Sequence, residues 1–211
     1  MKRNILWLLG VLMTVSFAVS ACEETDGTVD PYQDWEERNT RYIDSIASVA
    51  RANQGEAVGQ WKIIHTYKYP QQGITMGDVN EYVYCKVLEV GDGEVSPLFT
   101  DTVGVHYQGR LIPLYNGKTV TFDQSYYGEL DKGVAMPFYS PSVDSYGSSY
   151  DLGTGMKTAT MEMHVGDRWE VYVPYQLGYG TDDSGSIPGY STLIFDWCLS
   201  EIRPLKGNPQ D

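Results

Sequence analysis

Cysteine is scarce here, with three residues in 211. No C-x-x-C pair occurs, and His65, His106 and His164 are widely scattered, so the ligand spacing of a zinc site is missing. Cations are scarce as well. Lys and Arg number 15 against 28 Asp and Glu, for a net charge of −13. Such a chain has no basic stripe with which to neutralise phosphates, which excludes nucleic acid as a partner. Nucleotide signatures fail too. "YDLGTGMKT", Tyr150 to Thr158, has a glycine-rich look, but Met156 stands between Gly155 and Lys157 where a phosphate loop needs Gly-Lys adjacent. The dinucleotide pattern G-x-G-x-x-G fails at Thr158, and no alternating βα context surrounds it. "GSSYD" lacks the second glycine of a serine-hydrolase elbow. Asp182 and Asp183 lie in "TDDSG", a turn composition rather than an acid pair. No metal and no cofactor is implied.

A long apolar run is also missing. "ILWLLGVLMTVSFAV", Ile5 to Val19, stops at 15 residues, short of the ~20 that span a bilayer. It follows Lys2 and Arg3 and ends in small residues, the layout of a signal peptide over residues 1–21. "VSAC" resembles a bacterial lipobox and makes Cys22 the candidate lipidation site, a plain cut after Ala21 being the alternative. Removing residues 1–21 takes Lys2 and Arg3 and deepens the charge from −13 to −15. Anionic lipid would not hold such a chain, so a membrane anchor would have to be the lipid on Cys22. "CEETD" resembles the export tag of Bacteroidetes surface lipoproteins, and a flexible acidic tether looks the same. The expected place is the cell envelope, at the outer membrane on its periplasmic or outer face. Cys85 and Cys198 remain, either as two buried thiols or as one disulfide.

What is abundant is aromatic: 17 Tyr, with five Trp and five Phe, beside 22 Gly. The organisation expected is a tether over 22–33, a helix and strand over 34–75, one domain over 76–205, and a tail over 206–211. "DWEERNTRYIDSIASVARAN" places Trp35, Tyr42, Ile43, Ile46, Val49 and Ala50 at helical spacing behind Asp34 as cap. That helix would pack on the domain, or else serve dimerisation. "WKIIHTYKY", "EYVYCKVLEV", "DTVGVHYQGRLI", "RWEVYVPY" and "STLIFDWCLSEI" alternate with period two and read as strands. "MKTATMEMH" is the helical segment among them, and "YSPSVDSYGSSY" reads as an exposed loop. The fold class is α+β, an antiparallel sheet with one short helix and a helix before it.

Aromatic and apolar residues at strand ends, with few polar groups, describe a lined pocket for a small ligand or peptide. "VHYQG", "TFDQS", "MHVGD", "PYQLGYG" and "IPGYSTLIFDWCL" occur in that order. Together they resemble the FKBP-type peptidyl-prolyl cis-trans isomerases over roughly Glu81 to Ile202. The resemblance implies an antiparallel sheet curled around one short helix, with no cofactor. It implies catalytic roles for Phe122, Asp123 and Tyr179, the last through its hydroxyl on a substrate carbonyl. Tyr107, Leu152, Gly153, Met156, Ile187 and Phe195 would line the substrate site. Where the family usually reads V-I-x-G-W, this chain has Leu152-Gly153-Thr154-Gly155-Met156, so Met156 takes the floor and Gly153 offers only its backbone N–H. Phe138 or Tyr139, if either, would supply one more wall. The implied function is prolyl isomerisation of exported proteins, whose proline-containing segments are the partners. The alternative is a non-catalytic peptide- or protein-binding module with an altered floor.

Overall fold

The computed structural model describes residues 29–70, 77–140 and 152–204. Pro31–Asp211 is one compact unit. It opens with helix α1, Trp35–Ala52, followed by strand β1, Trp61–His65. Then come β2 (Tyr82–Glu89), β3 (Thr102–Leu111), β4 (Thr121–Gln124) and the two-residue β5 (Phe138–Tyr139). Helix α2 (Gly153–Thr160), β6 (Arg168–Val173) and β7 (Leu193–Arg203) complete the order. All strands belong to one antiparallel sheet in the order β1-β2-β6-β7-β3-β4, with β5 pairing β3. The loop expected beyond Ser140, Cys22 and the tail lie outside the described residues.

Strand register assigns the faces. Val171 and Val173 of β6 pair Phe195 and Leu193 of β7, while Tyr107 and Gly109 of β3 pair Trp197 and Phe195. These residues share the face that α2 covers, because a Cβ on Gly155 would stand 2.3 Å from the Val173 side chain. The helix sits that close only because position 155 carries no side chain. The glycine stretch is therefore the first turn of α2 rather than a turn before it, with Gly153 at φ +69°. The expected "MKTATMEMH" segment starts three residues late and runs past the helix, which ends at Thr160.

The opposite face carries charge and α1. Arg168 donates to both carboxylate oxygens of Asp196 at 2.8 and 2.6 Å, and to Glu89 at 3.1 Å. Helix α1 buries Trp35, Asn39, Ile43, Ala47 and Ala50, whereas Val49, expected on the packed face, is 51% exposed. Asn39 is what the apolar pattern could not show. Its side-chain carbonyl accepts from the Thr192 N–H at 2.7 Å, and the Trp35 indole N–H donates to Ser191 at 3.0 Å. Asp34 precedes the helix with φ 53° and makes no side-chain cap bond. Cys85 pairs Val171 and Cys198 pairs Arg168, so the two thiols lie on opposite faces. Both are free and buried, which settles the choice left open by the sequence.

His106 on β3 is 1% exposed, and burial lowers its pKa from the ordinary 6.5. Between those two values the unfolded chain binds the proton and the native chain does not, so stability rises with pH there. Acidification below pH 6.5 is thus expected to cost about 1 kcal/mol per unit until the folded value is reached. Urea unfolding at pH 7.5 and 5.5 measures this. His106→Gln should flatten that part of the profile, and an unchanged slope would place the loss elsewhere.

Candidate functional site

Five rings meet along the α2 face of β3 and β7, and each arrives for a local reason. Period-two alternation puts Phe195 and Trp197 of β7 on one side of the sheet. The antiparallel register then sets Tyr107 directly opposite Trp197. Phe122 reaches the group from β4, whose Asp123 pairs Gly109. The absence of a side chain at Gly109 is what admits it: a Cβ there would stand 2.6 Å from the Phe122 ring and 2.9 Å from Phe195. Phe122 and Phe195 stand edge to face, with centroids 5.6 Å apart at 87°. Phe195 meets Trp197 at 6.0 Å and 84°, and Tyr107 lies 5.4 Å from the same indole.

Tyr139 is the fifth ring. It contacts Tyr107 at 6.0 Å and Trp197 at 6.4 Å. Phe138, its neighbour, instead lies beneath the Arg203 guanidinium at 3.6 Å. Of the two, Tyr139 is the one whose ring packs in this cluster.

The polar part of the site is a short chain of hydrogen bonds. The Tyr107 hydroxyl donates to Asp123 Oδ2 at 2.8 Å. Its oxygen lies 2.9 Å from the Tyr139 hydroxyl, which must be the donor there because Tyr107 has spent its one proton. Asp123 Oδ1 accepts from the Gln124 N–H at 2.8 Å. Burial first, then the bonds to Tyr139 and Asp123, push the Tyr107 phenol far above its usual range. Burial also raises Tyr139. Both hydroxyls therefore stay protonated across the physiological range and act as donors, not as bases. Asp123 itself is exposed at the rim.

Of the residues singled out by resemblance, Tyr107, Phe122, Asp123 and Phe195 form this connected group. Met156 on α2 and Ile187 are buried in the core cluster that also holds Tyr107 and Phe195, and Leu152 packs against it half-buried. Gly153 opens α2. Tyr179 stands apart in the turn after a short 3-10 helix, Tyr175–Leu177, and is 55% exposed. That turn is braced by Asp183, whose carboxylate accepts from the Gly189 N–H at 2.8 Å. Trp197 and Gly109 were not on that list. Trp197 follows Phe195 by two positions, and that spacing alone was the available signal. Gly109 closes the "VHYQG" motif, which was the signal available for it.

Residues 93–199, half of the chain, match the family described as FKBP-type peptidyl-prolyl cis-trans isomerase. The macrophage infectivity potentiator of Trypanosoma cruzi is 36% identical over 114 residues, covering 54% of this chain and 49% of that one. The peptidyl-prolyl cis-trans isomerase Mip of Coxiella burnetii is 38% identical over 119 residues, covering 56% of this chain and 44% of that one. The chain spans about half the length of these curated relatives. The crystal structure of a peptidyl-prolyl cis-trans isomerase from Pseudomonas syringae pv. tomato superposes with a TM-score of 0.50. It is 21% identical, and the match covers 84% of this chain and 99% of that one, a likeness of fold.

Proposed function

Because the chain belongs to the FKBP-type peptidyl-prolyl cis-trans isomerase family, we propose that it is itself a prolyl isomerase acting on exported proteins in a bacterial envelope. The observation that carries this reading is the aromatic cluster around the Tyr107–Asp123 hydrogen bond. Rotation about a peptide bond crosses a barrier of about 18–20 kcal/mol, and an X–Pro bond takes tens to hundreds of seconds unaided. The planar amide owes that barrier to charge separation, which water stabilises and a wall of rings does not. Each ~1.4 kcal/mol removed from the barrier accelerates rotation tenfold, with no covalent step and no cofactor.

In this reading Phe122, Phe195, Tyr107, Ile187, Leu152 and Met156 receive the prolyl segment and exclude water. Asp123 and the Tyr179 hydroxyl orient the amide, and the Gly153 N–H is a further donor. The apolar Ile5–Val19 run and the "VSAC" ending support a lipid on Cys22 as the anchor, on either face of an outer membrane. Among the described residues no helix is long and apolar enough to cross a membrane.

The test is acceleration of cis-to-trans exchange in succinyl-Ala-Leu-Pro-Phe p-nitroanilide by the purified protein. A rate equal to buffer, with the peptide bound, would leave a binding module instead. Tyr179→Phe removes one hydroxyl and is expected to lower kcat/KM about tenfold, the worth of one hydrogen bond made in the transition state. An unaltered kcat/KM would remove Tyr179 from the mechanism.

A further inference from the structure

We propose that Trp197 is a substrate-contacting residue of this site: its indole forms the floor beneath the prolyl ring, and its Nε1–H donates to a carbonyl of the bound peptide. The inference rests on the isomerase reading of the pocket. Its first support is position. Trp197 is 2% exposed and touches three of the other four rings, Tyr107, Tyr139 and Phe195, so it is the ring that joins the two ends of the cluster.

The second support is an unmet donor. The buried Trp197 Nε1–H has no hydrogen-bond partner among the described residues. Tyr139, Tyr107 and Asp123 bond to one another in series, and none of them accepts from the indole N–H. A buried donor without an acceptor destabilises the fold, and such groups are rare in native proteins unless something meets them. An X–Pro peptide bond suits this need chemically. Proline has no N–H, so the bond presents a carbonyl acceptor and offers no donor in return. A site built for it must supply donors. Met156 on α2 brings a thioether and has none.

We place access past Tyr139, whose half-buried ring lies 6.4 Å from the indole on a strand of only two residues.

The experiment is a ¹H–¹⁵N spectrum of the tryptophan indoles in the full-length chain, titrated with succinyl-Ala-Leu-Pro-Phe p-nitroanilide. The Trp197 signal is assigned by its loss in Trp197→Phe, or, should that variant fail to fold, by through-space contacts to the Tyr107 and Phe195 rings. The expected result is a downfield shift of the Trp197 indole proton that saturates with the other site resonances. Trp197→Phe, keeping a ring without the N–H, should bind the peptide about five- to tenfold more weakly. An indole signal that stays still while other site resonances saturate overturns the proposal, as does a peptide that moves no resonance at all. Exchange between the peptide's cis and trans forms is read in the same sample. A shifted indole without accelerated exchange sinks the isomerase reading and keeps Trp197 in the site; accelerated exchange with a still indole does the reverse.

Discussion

Phe195→Ala is expected to lower the isomerisation kcat/KM about 30-fold and to cost roughly 3–4 kcal/mol of stability. The ring is 8% exposed and is the link between Phe122 at 5.6 Å and Trp197 at 6.0 Å. Its removal opens a void between two walls that are not otherwise in contact through a ring. Neither neighbour can close it easily, because Trp197 is tied to β7 and Phe122 to the short β4. Burying such a side chain is worth about 2 kcal/mol of apolar transfer. If that wall acts mainly on the desolvated, twisted amide, the loss appears in the rate as the 30-fold stated above. Val83→Ala, at a fully buried position near the start of β2, is the control. It too should destabilise the fold, yet leave kcat/KM of the folded protein unchanged. Equal losses of rate in the two variants would show that the aromatic cluster is core and nothing more.

Gly109→Ala makes the opposite perturbation at the same place. An added methyl would lie 2.6 Å from Phe122 and 2.9 Å from Phe195, closer than non-bonded carbons tolerate. The backbone cannot retreat, since Gly109 is held between Phe195 of β7 and Asp123 of β4. The rings must move instead. Crowding of this kind costs about 1–3 kcal/mol, offset in part by the better strand propensity of alanine. We expect a net loss of about 1–2 kcal/mol in urea unfolding and at least a tenfold drop in kcat/KM, because the displaced rings enter the volume assigned to substrate. An active Gly109→Ala protein would mean that substrate does not approach this edge of the Phe122–Phe195 pair. Together the two variants bracket the site, one enlarging it and one filling it.

Much of the architecture was written locally. The period-two runs around Val105, Val171 and Phe195 became β3, β6 and β7, because alternation is imposed by the strand itself. Helix α1 formed where expected, yet its buried stripe runs through Asn39 and Ala47 and leaves Val49 outside. Hydrophobicity could not reveal this, since Asn39 is buried by two long-range hydrogen bonds to Thr192. The pocket divides in the same way. Tyr107, Phe122, Asp123 and Phe195 were legible through motif resemblance. Tyr139 was one of two candidates, Gly109 stood in "VHYQG" without a site role, and Trp197 was not singled out, because what each does depends on what stands across the strand from it.

The sequence by itself determined the fold class and the runs that became β1, β2, β3, β6 and β7, through side-chain alternation, turn residues such as Asp183 and the spacing of five motifs, whereas β4, β5 and the order of strands across the sheet came only with the structure. The sequence also determined the strongly acidic net charge of −13. Only the tertiary structure decided which residues face one another inside the site. Pairing of β3 with β7 sets Tyr107 against Trp197 and Gly109 against Phe195, residues about ninety positions apart. The reason is geometric. A shift of one residue in that register would turn every one of these side chains to the other face, so the site exists only once the strands have paired.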